Sequence, residues 1–431
     1  MGKDFRWPKG FLWGAATASH QVEGNNVNNW TEWELQTAKE KAKAAKRRYS
    51  SLASWPEIKD LATTPDNYVS GIAADHFRRY KEDFDYIEKM NLNAFRFSIE
   101  WSRIEPDEGA WDIAALEYYR SYIKELRARG IEPVVTLFHW TTPLWFARKG
   151  GFEKAGNIQY FVRYCERLLK ELGGDIHYIC TINEPDTVVL LGYGLREHAP
   201  GVSSLVKMLA VYINLLKAHR QVYKMAKKLN KKFNVGFVKS YTAIRPLDGR
   251  FMTKLAVWLD YLIRDDIVLW FIGKQTDYYG VNYYFSDEYS GWNRLQPDVQ
   301  RSDLGWTMVP ERLEDVLIRI GKRGKPVMVT ETGVADQYDR YRKEWITKTV
   351  IAMQHAIEAG VNLKGYFHWT LTDNFEWAFG RWPAFGLVKI DYEHGRKRIL
   401  RPSGAYYGAV VNKARASEVS RHHGTKETPK N

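Results

Sequence analysis

The chain has 431 residues, of which 45% are hydrophobic, 27% charged and 14% aromatic, a composition that suits a soluble globular protein with a thick, ring-rich core. Lysine and arginine exceed the acidic residues by 64 − 51 = 13, yet the positive charges are spread along the chain, which argues against a dedicated nucleic-acid surface. No uncharged run reaches the length of a membrane span, and the two cysteines, Cys165 and Cys180, lack metal-ligand spacing; a transmembrane protein, a disulfide scaffold and a zinc module are excluded.

Strand-length apolar runs and helical patterns alternate along the chain. The first strand is expected in "FLWGAATA", 11–18. The alanine-rich run "KEKAKAAKRR", 39–48, reads as a solvated helix face rather than a polyanion contact. Phe77, Tyr80, Phe84 and Ile87 mark a helix face ahead of the second strand, "AFRFSI" at 94–99. Leu116, Tyr119, Ile123 and Leu126 mark another, stopped by Gly130 before "PVVTLFHW", 133–140. Ile158, Phe161, Val162, Cys165 and Leu169 repeat the design up to Gly173-Gly174, and "YICTIN", 178–183, follows.

The fifth and sixth strands are "NVGFVKS", 234–240, and "DYYGVNYY", 277–284. Between them lies the most membrane-like stretch, 251–273. Lys254, Asp260, Arg264, Asp265 and Asp266 interrupt it, so a core or surface helix is favoured over a peripheral membrane contact. Leu313, Val316, Leu317 and Ile320 precede Gly321 and the seventh strand, "PVMVTET" at 326–332. "KGYFHWTL", 364–371, is the eighth. Residues 413–431 are polar and read as a disordered tail. The start "MGKDFRWPKG" has no apolar leader, and two unpaired thiols suit a reducing cytoplasm.

Eight strands separated by helices predict an α/β protein, a single-domain (β/α)8 TIM barrel over residues 1–412. The rival, an open doubly wound sheet, lacks a Gly-rich phosphate turn after an early strand. Chemistry in a barrel gathers at the carboxyl ends of the strands, and the polar residues cluster there. His139-Trp140, Asn183-Glu184, Tyr283-Tyr284, Glu331 and Trp369 all fall late in their strands.

Glu184 in "ICTINEP" and Glu331 in "VMVTETG" share a pattern: an apolar run, a threonine, then a glutamate before a backbone breaker. Strands four and seven lie three apart in a ring of eight, so the two carboxyls face each other across the mouth. A facing pair of carboxyls over an aromatic-lined hollow is the equipment of glycoside hydrolysis. Either glutamate alone could equally cap a helix or pair with an arginine. Metal binding has no HxH or HExxH spacing behind it, and an esterase would need a serine elbow. A sugar-binding protein without turnover is the remaining alternative.

The blocks "FLWGAATASHQVEG", "FRFSIEWSRIEP", "TLFHW", "TINEP", "GVNYY", "VTETG" and "HWTLTDNFEWAFG" resemble, in order, the signatures of glycoside hydrolase family 1, a family of retaining β-glucosidases and β-galactosidases. The resemblance runs from about residue 5 to 410 and is nearest to archaeal-type β-glycosidases. It implies that Glu184 is the general acid/base and Glu331 the nucleophile. Arg96 and Tyr284 match side chains that support the nucleophile, and an arginine beside a carboxylate favours its anionic form. Asn183 matches the amide on the sugar 2-hydroxyl. Gln21, His139, Trp140, Glu376 and Trp377 match groups that hold the other hydroxyls. Trp369 matches the platform beneath the sugar, Asn282 another polar lining group, and Phe385 an aromatic at the far edge of the sugar.

The implied activity is exo-hydrolysis of terminal β-D-glucosyl, and also β-D-galactosyl or β-D-fucosyl, units from small glycosides or oligosaccharides. It proceeds with retention, through a covalent intermediate, with transglycosylation as a side reaction and with no metal or organic cofactor. Burial is expected to raise the pKa of Glu184. Three departures stand out: Thr332 where the family usually has Asn, Ala378-Phe379 where many members are polar, and Trp382-Pro383 ahead of Phe385. They put the sugar preference in question and leave the reaction type intact.

Overall fold

The computed structural model describes residues 5–418. Eight parallel strands form the barrel: β1 (Leu12–Ala16), β2 (Ala94–Ser98), β3 (Glu132–Thr136), β4 (Tyr178–Asn183), β5 (Asn234–Pro246), β6 (Tyr278–Ser290), β7 (Val327–Thr332) and β8 (Leu363–Trp369). Each pairs with its neighbours in sequence. β8 returns to β1 through Leu12↔Gly365 to Ala16↔Trp369, and β5 meets β6 from Gly236↔Tyr278 onward, so the ring is closed. The fold is a single (β/α)8 barrel.

The strands form because their residues are apolar on both faces, as burial between lumen and helices demands. In β2 and β7 every residue is buried. Inside the lumen Ala94, Val134, Cys180, Val238, Met328 and Phe367 pack together with Tyr278. The tyrosine ring needs room on the neighbouring strand. A Cβ at Gly236 would lie 2.2 Å from it, so only glycine fits there.

Helices cover the outside, among them α1 (Asn29–Tyr49), α2 (His76–Lys89), α3 (Ile113–Ala128), α4 (Ile158–Leu172), α5 (Leu205–Leu229), α6 (Phe251–Tyr261), α7 (Leu313–Gly321), α8 (Arg342–Glu358) and α9 (Pro402–Ala416). Their ends follow local chemistry. The Asn28 side chain accepts from the Trp30 and Thr31 amides at the start of α1, and Asp112 accepts from Ala115 at the start of α3. In α4 the buried face is Phe161, Tyr164, Cys165, Leu168, Leu169 and Leu172, a 3.6-residue stripe. Both cysteines are buried and unpaired.

Several expectations need adjusting. α9 continues to Ala416, Ala414 is buried, and Tyr407 donates to the Gly14 carbonyl at 2.9 Å, so the packed chain runs past 412. Of the expected tail, 419–431 lies outside the described residues. Ladder pairing of β3 ends at Thr136, so His139 and Trp140 stand in the loop beyond it. β5 and β6 run on past the barrel rim as a paired ribbon, and Asn293–Leu295 adds a short antiparallel strand to it. The 251–273 segment is a surface helix: α6, a π-helical turn at Leu262–Asp266, and a last piece at Ile267–Ile272. No helix among the described residues is long and apolar enough to cross a membrane.

Candidate active site

At the carboxyl end of the barrel a cavity of about 130 Å³ opens between the strand ends. Glu184 and Glu331 both line it. β4 delivers Glu184 at its last turn outward: the residue stands at φ +44°, in the left-handed region, and Pro185 then starts a short helix. Trp140 and Trp377, which also line the cavity, hold positive φ as well, at +76° and +46°. Backbone of this kind at non-glycine residues is uncommon and persists only where the surrounding structure fixes it.

Glu331 is fixed from two sides. Buried Arg96, from β2, forms an ion pair with its Oε1 through Nη1, and Tyr284 OH donates to Oε2 at 2.9 Å. Arg96 Nη2 also reaches Asn183 Oδ1 at 2.7 Å, which ties β2, β4 and β7 together. Gly333 lets the chain after Glu331 pass close to β8; a Cβ there would sit 1.8 Å from the Trp369 carbonyl oxygen. Thr332 points away from the cavity, its hydroxyl accepting from Trp345 Nε1 at 3.2 Å, so this departure from the family pattern does not alter the lining.

Glu184 has a different environment. Its Oε1 accepts from Asn282 Nδ2 at 2.8 Å, and Asn282 is oriented by the Thr330 hydroxyl, which donates to Asn282 Oδ1 at 2.6 Å. Burial, then the charges of Glu331 and Asp186, raise the Glu184 pKa to about 8. The same burial and the same Glu331 charge raise Glu376 to about 8. His139 is held neutral by burial and by Arg96, its pKa well below the usual value. The site therefore holds neutral acids next to an arginine-paired carboxylate.

Ten of the thirteen residues expected at the site line the cavity: besides the two glutamates and Tyr284, these are His139, Trp140, Asn183, Trp369, Glu376, Trp377 and Phe385. The other three, Arg96, Asn282 and Gln21, are buried and bonded to lining residues. Gln21 Nε2 donates to the Phe375 carbonyl at 2.9 Å and meets Glu376 at 3.5 Å. Gln21 Oε1 and His139 Nδ1 are buried without a hydrogen bond from the protein, polar atoms that suit a hydroxyl-rich guest. The indoles of Trp140 and Trp377, with ring centroids 4.6 Å apart, make one aromatic wall.

Sequence reasoning did not name Thr187, Leu191, His198, Ser240, Phe285 or Trp306, all of which line the cavity. Phe285 directly follows "GVNYY" on β6, and Ser240 ends the expected fifth strand, so both could have been found from position; Thr187 and Leu191 sit on the short helix and π-helical turn after β4, and His198 and Trp306 in loops without a periodic signal. Phe379, noted as a departure, does reach the cavity, packing with Trp306, which in turn meets Phe385 at 6.0 Å. Trp382 stands behind Phe379 against Tyr49. Among the described residues no three His, Cys, Asp or Glu side chains gather in a metal-holding group.

The model of the family described as "Glycosyl hydrolase family 1" matches residues 3–261 and 265–416. Beta-glucosidase A of Thermotoga maritima is 30% identical over 458 aligned residues, spanning 94% of this chain and 98% of that protein. Beta-glucosidase 13 of Arabidopsis thaliana is also 30% identical, spanning 94% and 92%. Among solved structures, a beta-glycosidase from Pyrococcus horikoshii superposes with a TM-score of 0.83 at 32% identity, covering 97% of this chain and 96% of that one. A beta-glucosidase from Thermotoga maritima in complex with glucoimidazole gives 0.83 at 28% identity, covering 96% and 100%. With the barrel, the paired glutamates and a match over nearly its whole length, this chain belongs to glycosyl hydrolase family 1 and is an enzyme of the glycoside hydrolase type.

Proposed function

We propose that the protein is a retaining exo-β-glycosidase that removes terminal β-D-glucosyl units, and also β-D-galactosyl or β-D-fucosyl units, from small glycosides. The observation that carries this reading is the contrast in surroundings of two carboxyls in one cavity: Glu184 is buried, hydrogen-bonded to Asn282 and raised in pKa to about 8, whereas Glu331 is ion-paired with Arg96. Support also comes from the relatives, which are named beta-glucosidases.

In the first step a Glu331 oxygen attacks the anomeric carbon while Glu184 gives its proton to the glycosidic oxygen, and the aglycone leaves as an alcohol. The product is a glycosyl ester on Glu331. Esterification removes the negative charge that had helped to raise the Glu184 pKa, so Glu184, now a carboxylate, becomes a better match for its second task. It takes a proton from water as the water oxygen attacks the anomeric carbon, and Glu331 leaves as carboxylate. An alcohol in place of water gives transglycosylation. The residues Asn183, Gln21, His139 and Glu376 are assigned to the sugar hydroxyls, and Trp369 to the sugar face. No metal or organic cofactor enters this scheme. Unpaired buried thiols suit a cytoplasmic setting, which we adopt for the enzyme.

The test is Glu331→Ala with an aryl β-glucoside. Turnover should be lost, and azide should restore aglycone release with an α-glucosyl azide as product. Undiminished turnover in that variant would end the assignment.

A further inference from the structure

Exposed apolar residues in a monomer are normally scattered. Here they concentrate on two neighbouring elements. On α5, Leu205, Val206, Leu209 and Ile213 are exposed at helical spacing, on the face opposite to buried Val211 and Leu215. On the 251–272 segment, Phe251, Trp258, Ile267 and Trp270 are exposed, Trp270 to 79%. α5 packs on the Ile267–Ile272 helix, so the helices that carry the two stripes touch each other. α5 also packs on the Leu190–Gly194 turn, where Leu190 is exposed and Leu191 lines the catalytic cavity. The apolar face thus begins at the rim of the active site.

Charge decides what this face fits. Its acidic groups are turned inward or neutralised: Asp265 pairs with Lys239 and Arg319, Asp266 with Arg319 and Arg323, and Asp260 with Arg264 and Arg294. Lys207 pairs with Glu153, but three of its lysines are free. Lys217, one turn beyond Ile213, Lys254, beside Phe251, and Lys274, one turn beyond Trp270, are exposed and form no ion pair among the described residues. Apolar stripes ending in free lysines, with tryptophans among them, match the interfacial zone of a bilayer, where rings sit at headgroup level and ammonium groups reach phosphates. A two-fold pairing with a second copy would instead bring like charges together. The whole chain carries +13, of the same sign.

We propose that this face is a docking surface for an anionic lipid bilayer, which would hold the mouth of the barrel close to the lipid–water interface. The attachment is peripheral, by side chains alone.

The full chain should co-sediment with phosphatidylcholine vesicles that contain one part in about three of phosphatidylglycerol, and far less with pure phosphatidylcholine, with binding that falls as salt rises. The triple variant Trp258→Ser, Ile267→Ser, Trp270→Ser should reduce that partitioning about tenfold or more while its circular dichroism stays unchanged. A second triple variant, Lys217→Glu, Lys254→Glu, Lys274→Glu, should do the same on the anionic vesicles and decides alone should the first not fold. Absence of pelleting by the unmodified protein, or binding that neither variant weakens, would overturn the proposal. So would light scattering that shows a dimer which the Trp258-containing variant splits into monomers, since the face would then be covered by a second copy. None of these readouts depends on hydrolysis.

Discussion

Replacing Glu331 by glutamine removes one negative charge from the cavity and leaves its shape nearly unaltered. Glu184 is raised from an ordinary 4.5 to about 8, with burial as the larger cause and the Glu331 charge as the next. Two carboxylates ~5–5.5 Å apart at an effective dielectric of about 20 repel by ~3 kcal/mol, or about two pH units. Burial outranks that repulsion in this site, so the part due to Glu331 is about one to two pH units. In Glu331→Gln the Glu184 midpoint should therefore fall to roughly 6–7. The measurement is a 13C titration of labelled glutamate, with Glu184→Gln used to identify the signal. The ester formed on Glu331 by a 2-deoxy-2-fluoro-glucoside should produce the same fall. A midpoint that stays within half a pH unit in both cases would show that Glu331 does not set the acid's proton affinity, and the two-task role of Glu184 would lose its physical basis.

Other outcomes follow from the same geometry. With protonated Glu184 as the proposed proton donor, kcat/KM for an aryl β-glucoside should fall tenfold per pH unit above about 8, and Glu184→Ala should abolish that limb. Glu184 and Glu376 both hold their protons to about 8 in the folded chain and release them near 4.5 when unfolded. The unfolded state therefore binds fewer protons between those values. Each group should lower stability by about 1.4 kcal/mol per pH unit as pH rises through that window, and the double variant Glu184→Gln, Glu376→Gln should flatten the slope seen in denaturant melts. Trp306 packs against Tyr284, Phe285, Phe379 and Phe385 at the cavity wall. Trp306→Ala should raise KM for aryl β-glucosides about tenfold and change kcat less, an apolar binding loss of ~1–2 kcal/mol.

Much of this architecture could be read from the residues because parallel barrel strands must be apolar on both faces, which makes them stand out as short uninterrupted runs. Glu184 and Glu331 were visible for the same reason: a carboxylate at the end of such a run has no place in a core. The limits are equally physical. "PVVTLFHW" reads as one strand to Trp140, yet ladder pairing stops at Thr136 and the chain turns into positive φ at Trp140, a change that composition does not signal. The extension of β5 and β6 beyond the rim depends on pairing between Thr242–Pro246 and Phe285–Tyr289, a tertiary fact. His198 and Trp306 reach the cavity from loops, and Leu191 from a π-helical turn, where position follows from packing and not from period. Exposure of Trp258 and Trp270 likewise required coordinates, since an amphipathic stripe does not say which side faces water.

The most direct measurement of the central claim is the configuration of the first sugar released. Proton NMR of a β-glucoside hydrolysed by the unmodified enzyme, recorded before mutarotation, should show the β-anomer of glucose appearing first, as two successive displacements at one carbon require. The α-anomer appearing first would mean a single displacement by water, and Glu331 could not then be the nucleophile.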